Sequence, residues 1–529
     1  MVDRQKYRVV VIILFASIAI IFVDQAKFLF VYPVPDTGMW FGDESWTMLT
    51  VRALARTGIA CVPEALGSSL AHSNGLVNGS IWISGLIYGA PAAIFSKLAS
   101  PVAIGRVITF ILSIVCLSFV YRLSRKVGSS EVASLIALLA LVSSNAFYFS
   151  SHSARLDSFT GLFVLLYLFL LVLIFERSEK NVLDTRWAFL LPFIAVLSLS
   201  IYVHVPTLIA FSLLYSLWSL GVFKSPNKIV ISILGGVAGV VVIASIYWLS
   251  TGALDLLGKG YNQYYNVANS LPVLHLRSWR VQKINTIDRA IQVWEVAWPL
   301  VTTLGVGIGI RIWTKVKFTS IEIFFFVNAI LVFLSWTLFE GPAVFYNIHV
   351  MPIGVVCAAI LLSPVFNNVK NPIFERVIAI TFIAVTIFTV SSQERRGAVG
   401  KRLVDENRIA IHSLIDQISS SANPPLILTD EPGLNDIADT TGVRLMTNHL
   451  LLFGDEDKSL PDILQEKHVN YLLLYSTFQW HSPFRQIADS LYLFVGLRTG
   501  TLTDQARTYD EPNLSSMDTL RLYKTKTKF

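Results

Sequence analysis

Charge is scarce in this chain. Only 15% of its 529 residues are Asp, Glu, Lys or Arg, where about a quarter is usual for a soluble domain. Cysteine is scarcer, with three residues, and three cannot build a disulfide framework. Cys116 and Cys357 lie in apolar runs and read as packing residues, and Cys61 has no evident partner. There is no internal repeat and no low-complexity tract, which excludes solenoids and disordered scaffolds. After the first apolar run there is no Ala-x-Ala-like cleavage site, so the run from Val9 to Phe30 reads as a retained span rather than a leader.

Apolar residues, by contrast, make up 54% of the chain. They gather into runs of roughly 18 to 23 residues, the length that crosses a hydrocarbon core. Gly161 to Phe175 carries no charge, as a span requires when one central charge costs about 2.5–3.5 kcal/mol. About eleven spans are predicted. They cover residues 9–30, 102–123, 131–150, 157–176, 187–204, 206–221, 228–250, 294–313, 320–339, 344–363 and 373–391. The expected fold is mainly α, a polytopic membrane helical bundle.

Loop charges set the topology. With the N-terminus cytoplasmic, Arg122, Arg125 and Lys126 fall inside. So do Arg177, Lys180 and Arg186; Lys224 and Lys228; Arg311, Lys315 and Lys317; and Lys370. That is the positive-inside pattern. Counting 80–97 as a further span would invert every later loop, so it is placed as an interfacial or re-entrant helix. Most of the bases behind the net charge of +7 sit in short loops between spans, where they set topology, and nucleic-acid binding is not expected. An inner or plasma membrane is expected, with the tail extracytoplasmic.

Residues 1–392 are predicted to form the membrane module and 393–529 a soluble extracytoplasmic α/β domain. In that tail, residues 403–420 show helical spacing, and Pro425–Thr429 and Asn470–Tyr475 read as buried strands. Residues 519–524 alternate like an edge strand.

Four groups could carry chemistry. Gly42-Asp43-Glu44-Ser45-Trp46 opens a helical stretch in the first outer loop, 31–101. Asp43 there reads as a helix cap or as a general base at the membrane surface. His152-Ser153-Ala154-Arg155-Leu156-Asp157 precedes the fourth span and places a second carboxylate on the same side. The outer loop 251–293 carries Lys259, His275, Arg277, Arg280, Lys283 and Arg289, with Tyr261, Tyr264 and Tyr265. Positive-inside charge does not explain these bases. They suit either anionic headgroups or the phosphate of one bound lipid. Finally, Tyr346 and His349 share a helical face near the start of the tenth span, where Tyr346 would also suit an aromatic belt. The outer histidines His72, His152, His204, His275 and His349 lack ligand spacing such as H-x₃-H. No cofactor is expected, and a divalent metal stays open.

These residues resemble the membrane glycosyltransferases of the GT-C class. The nearest branch holds the protein O-mannosyltransferases and the lipid A aminoarabinose transferases. Three segments carry the resemblance: Gly42-Asp43-Glu44, Ala154-Arg155-Leu156-Asp157, and Tyr346 to Pro352. It implies a donor in which one sugar is linked to a polyprenyl phosphate. The acceptor would be a hydroxyl of a lipid, glycan or protein. By resemblance Asp43 is the base, and Glu44 and Asp157 support the site. The leaving phosphate would be held by outer bases, with Arg106 joining Arg155, Lys259, Arg277, Arg280, Lys283, Tyr346 and His349. Many relatives carry a Lys-Pro-Pro-Leu-Tyr-Tyr-Trp-like stretch where this chain has Leu76-Val77-Asn78-Gly79-Ser80-Ile81-Trp82. Its Lys is missing, so other bases would serve the phosphate. Two rival readings are a transporter or flippase and a non-catalytic assembly partner. The first expects ionisable residues at mid-span. Asp157, Glu176 and Glu340 all fall at span ends.

Overall fold

The structure is a computed structural model. It describes residues 8–27, 29, 90–95, 98, 101–152, 157–179, 188–194, 205–220, 228–251, 286–339, 348–368, 376–394, 425–429, 444–447, 464–465, 468–475, 492–500 and 518–526. Two compact units result. One combines 1–29, 106–251 and 276–394; the other combines 30–105, 252–275 and 395–529.

The first unit is helical. Its elements are α1 (Arg8–Ala26), then α3 (Pro101–Lys126) after a short α2 (Ala90–Phe95) that belongs to the second unit. There follow α4 (Glu131–Val142), α5 (Asn145–His152), α6 (Asp157–Glu179), α7 (Val205–Ser219) and α8 (Lys228–Thr251). The last four are α9 (Thr286–Thr314), α10 (Ser320–Phe339), α11 (Met351–Asn368) and α12 (Arg376–Glu394). Among the described residues, four helical stretches are long and apolar enough to cross a membrane: Arg8–Ala26, Ala103–Lys126, Phe159–Arg177 and Arg376–Glu394. The chain is an integral membrane protein.

Helices α4 and α11 form the centre. Leu135, Ala137 and Leu141 of α4 and Val355, Val356, Ala358, Ala359 and Ile360 of α11 are fully enclosed. α11 packs on α9 and α4, and α1 packs on α4. A helix apolar all round is stable only when surrounded like this. α1, α8 and α12 instead leave Val9, Ile12, Ile231, Leu234, Ile380 and Phe388 exposed, as lipid-facing helices do. Polar groups hold α7 to α10: Ser212 and Ser216 both donate to Asn328 Oδ1.

Three boundaries differ from expectation. The predicted span 131–150 is two helices, broken at Ser143-Ser144. Ser130 caps α4 by accepting from Ala133 N at 3.2 Å, and Ser144 caps α5 by accepting from Phe147 N at 3.3 Å. Such hydroxyls offer the backbone an alternative to helical bonding. Second, α9 starts at Thr286, so 286–293 is helix rather than loop. It kinks at Ala297 ahead of Pro299, which lacks the N–H to continue the ladder. Third, α11 begins at Met351 with Pro352 in its first turn, seven residues later than the periodicity suggests.

The tail holds a five-stranded mixed sheet: β1 (Leu426–Thr429), β2 (Arg444–Thr447), β3 (Tyr471–Tyr475), β4 (Tyr492–Gly500) and β5 (Asp518–Thr525). The order is β2-β1-β3-β5-β4. β1 runs parallel to β2 and β3, and β5 antiparallel to β3 and β4. β1 and β3 fall where the apolar runs predict them. β5 is not an edge strand: it lies between β3 and β4. Alternation reports that one face is buried, and says nothing of whether both edges are paired. The helical stretch 403–420 lies outside the described residues.

Candidate functional site

Helix ends in the first unit sort into two groups. At one end, Lys126 pairs with Glu176, and Ser130 N donates to Ser363 Oγ. There too Arg311 Nη2 pairs with Glu322 at 3.0 Å, and its Nη1 donates to the Ile360 carbonyl at 3.5 Å. Loop charges assigned these same ends to one side. At the other end lie the C-termini of α1, α4, α5 and α12, Arg106 of α3, and the starts of α6 and α11.

That second end gathers the described candidates. Asp157 is the first residue of α6. One turn on, Gly161 lies against the backbone of Ile348, so close that a β-carbon there would stand 2.5 Å from the Ile348 carbonyl oxygen. His349, next to Ile348, is fully buried in the tight turn that opens α11. Glycine is what lets the start of α6 meet the His349 turn. Arg106 is 3% exposed, near the start of α3. One turn further, Phe110 stacks on Phe22 of α1, ring centroids 4.2 Å apart. The stack fixes antiparallel α1 and α3, and so puts Arg106 level with the C-terminal turn of α1. Both Arg106 and His349 are engaged by neighbours.

The remaining predicted residues, Asp43, Glu44, Arg155, Lys259, Arg277, Arg280, Lys283 and Tyr346, lie outside the described residues. Among the described residues, no three His, Cys, Asp or Glu side chains gather as a metal would need.

Sequence reasoning passed over a polar cluster at this same end. Gln25 Nε2 donates to the Val142 carbonyl at 3.2 Å and to Gln393 Oε1 at 3.4 Å. Its own Oε1 accepts from Ser151 at 3.3 Å. Asp24 is 5% exposed and pairs with Lys27, whose ammonium also reaches Glu394 Oε1 at 3.1 Å. Hydrogen bonds from Lys27 to Asp24 first, then to Glu394, hold its pKa above the ordinary 10.5. The signal was present: an acid inside an apolar run is expensive and needs a reason. The helix ends at Ala26, so Asp24 too sits near a span end.

Two solved structures give the likeness its meaning. The apo state of ArnT from Cupriavidus metallidurans superposes with a TM-score of 0.52, at 10% identity, over 97% of each chain. The archaeal oligosaccharyltransferase AglB from Archaeoglobus fulgidus was solved in complex with an inhibitory peptide and a dolichol-phosphate. It superposes with a TM-score of 0.50, at 10% identity, over 96% of this chain and 76% of that one. The fold is of the GT-C type. No family model matches the sequence, and no curated protein matches it by sequence. At such identity the shared feature is the fold.

Proposed function

We propose that this GT-C-fold protein moves a single sugar from a polyprenyl-phosphate donor to a hydroxyl of a lipid, glycan or protein acceptor at the outer face of the membrane. The observation that carries this reading is the ArnT likeness over nearly the whole of both chains. AglB, which shares the fold, was solved with a dolichol-phosphate. A lipid phosphate is also what the basic outer loop suits.

The chemistry needs two things. An acceptor hydroxyl is a poor nucleophile at neutral pH, so a base must take its proton as it attacks the anomeric carbon. Asp43 is the proposed base, with Glu44 and Asp157 supporting it. The bond that breaks joins the anomeric carbon to phosphate oxygen, and the leaving phosphate carries the electron pair away. It needs positive charge more than a proton. Arg106, Arg155, Lys259, Arg277, Arg280 and Lys283 would supply charge, with Tyr346 and His349 as further phosphate-side groups. One displacement inverts the anomeric centre. The N-terminus is cytoplasmic in this reading, residues 1–392 form the catalytic module, and the tail from 393 is extracytoplasmic.

The test is transfer of label from radioactive polyprenyl-phosphate sugars to a membrane lipid extract by purified protein. Wild type should transfer, and Asp43→Asn should fall by about 10²–10⁴-fold, the usual worth of a general base. Equal transfer by both sinks the base assignment.

A further inference from the structure

Around Asp24 and Gln393, two buried polar atoms have no hydrogen-bond partner among the described residues. Gln25 is fully used, with both amide hydrogens donated and its oxygen accepting. Gln393 is 2% exposed and spends its oxygen on Gln25. Asp24 spends Oδ1 on Lys27. What is left over is Asp24 Oδ2, an acceptor, and Gln393 Nε2, a donor. Both are buried and have no hydrogen-bond partner among the described residues. They belong to one cluster. The Lys27 ammonium touches Asp24 and Glu394 together, and Gln25 follows Asp24 while bonding Gln393.

Buried polar atoms in folded proteins are almost always bonded, and a carboxylate oxygen is among the costliest to strand. One spare acceptor and one spare donor in the same cluster define the chemistry of a ligand that bonds both. The ligand must donate one hydrogen bond and accept another, which a hydroxyl does and an anion or an ammonium does not. An anion would meet Asp24 with like charge, and a cation would leave Gln393 Nε2 unbonded.

We propose that Asp24 and Gln393 form a hydroxyl-binding site at the end of the bundle that carries Arg106, Asp157 and His349. The hydroxyl belongs to a water molecule or to the transferred sugar. The second source rests on the glycosyltransferase reading above, and the first does not.

The experiment is cryo-electron microscopy of the full chain in lipid nanodiscs, alone and with a polyprenyl-phosphate hexose, at a resolution that shows water. The expected result is a discrete peak within hydrogen-bond distance of both Asp24 and Gln393. A peak that persists unchanged with the donor present is water. A peak replaced by a sugar oxygen, or present only with the donor, is substrate. No peak in either sample overturns the site, as does another side chain of the protein bonded to both atoms. Gln393→Glu keeps the oxygen that Gln25 uses and removes the donor, so it should abolish the peak; an unchanged peak overturns the role of Gln393. If the occupant is sugar, the same variant raises the apparent KM for the donor about 5-fold, the worth of roughly one net hydrogen bond. A peak without transfer from any donor leaves the site standing and removes the glycosyltransferase reading instead.

Discussion

The carbonyl oxygen of Ile348 lies 2.5 Å from where a β-carbon on Gly161 would be. No real β-carbon tolerates that approach, and the obstacle is backbone, which cannot swing aside. Gly161→Ala should therefore push the start of α6 away from the His349 turn. We expect a loss of about 1–3 kcal/mol of stability, the usual cost of overpacking. Transfer should fall further than stability accounts for, because Asp157 begins the displaced helix. Gly305→Ala is the control, since nothing lies within 4 Å of a β-carbon there. It should leave stability unchanged or raise it by up to ~1 kcal/mol through helix propensity. Thermal unfolding in detergent compares the two.

Arg311 and Glu322 make a second prediction, at the opposite end. Their side chains are only 7% and 9% exposed. Arg311 also donates to the Lys317 carbonyl at 3.0 Å and lies 4.1 Å from the Phe318 ring centroid. Glu322 accepts from Thr319 N at 2.7 Å while Thr319 Oγ1 accepts from Glu322 N, a capping box at the head of α10. Glu322→Ala strands a buried guanidinium and should cost roughly 3–5 kcal/mol. The double change to Arg311→Met and Glu322→Leu should cost less than the two single changes summed, because it removes both charges together.

How much of this was legible in the sequence varies by residue. Periodicity and length place α1, α3, α6, α8 and α10 closely, since a span must be apolar and about 30 Å long. The Ser143-Ser144 break was legible only as chemistry, because hydrophobicity runs straight through it. The positions of Arg311, Lys126 and Lys317 follow from loop charge, yet the Arg311–Glu322 pair does not, since pairing depends on the loop between α9 and α10. Strands β1 and β3 are continuous apolar runs and were visible. β2 and β4 were not: Arg444–Thr447 is four mixed residues, and β4 carries a register shift between Phe494 and Gly496 that breaks its alternation. Among the candidates gathered at the second end, Asp157 and His349 stood out by type and order, and Arg106 only through the family resemblance. Asp24 and Gln25 did not, because a 22-residue apolar run reads as one span and hides polar residues in its last turn.

Lys27 should give a pH signature. Its pKa is raised above 10.5 in the folded protein by Asp24 and Glu394. A raised folded value means that the contribution is complete below the unfolded pKa and is lost as pH climbs through the folded one. Lys27→Met should therefore lower Tm by an amount that is constant from pH 6 to 9 and shrinks above about pH 10.5. A difference that shrinks below pH 8 would mean that another group is titrating.

Arg106 separates phosphate binding from the rest of the reaction. It is buried at the level where α1 ends, and a buried guanidinium cannot shed its charge. In the proposed reaction it faces the donor phosphate. A hydrogen bond to a charged group is worth about 1.5–3 kcal/mol, or roughly 10–150-fold. Arg106→Gln should raise the KM for the polyprenyl-phosphate sugar by that factor and leave the acceptor KM alone. Arg106→Lys keeps the charge but loses the planar fork, so it should recover only part of the loss. Equal effects on donor and acceptor KM would instead assign Arg106 to holding α3 in place, because a packing defect does not distinguish the two substrates.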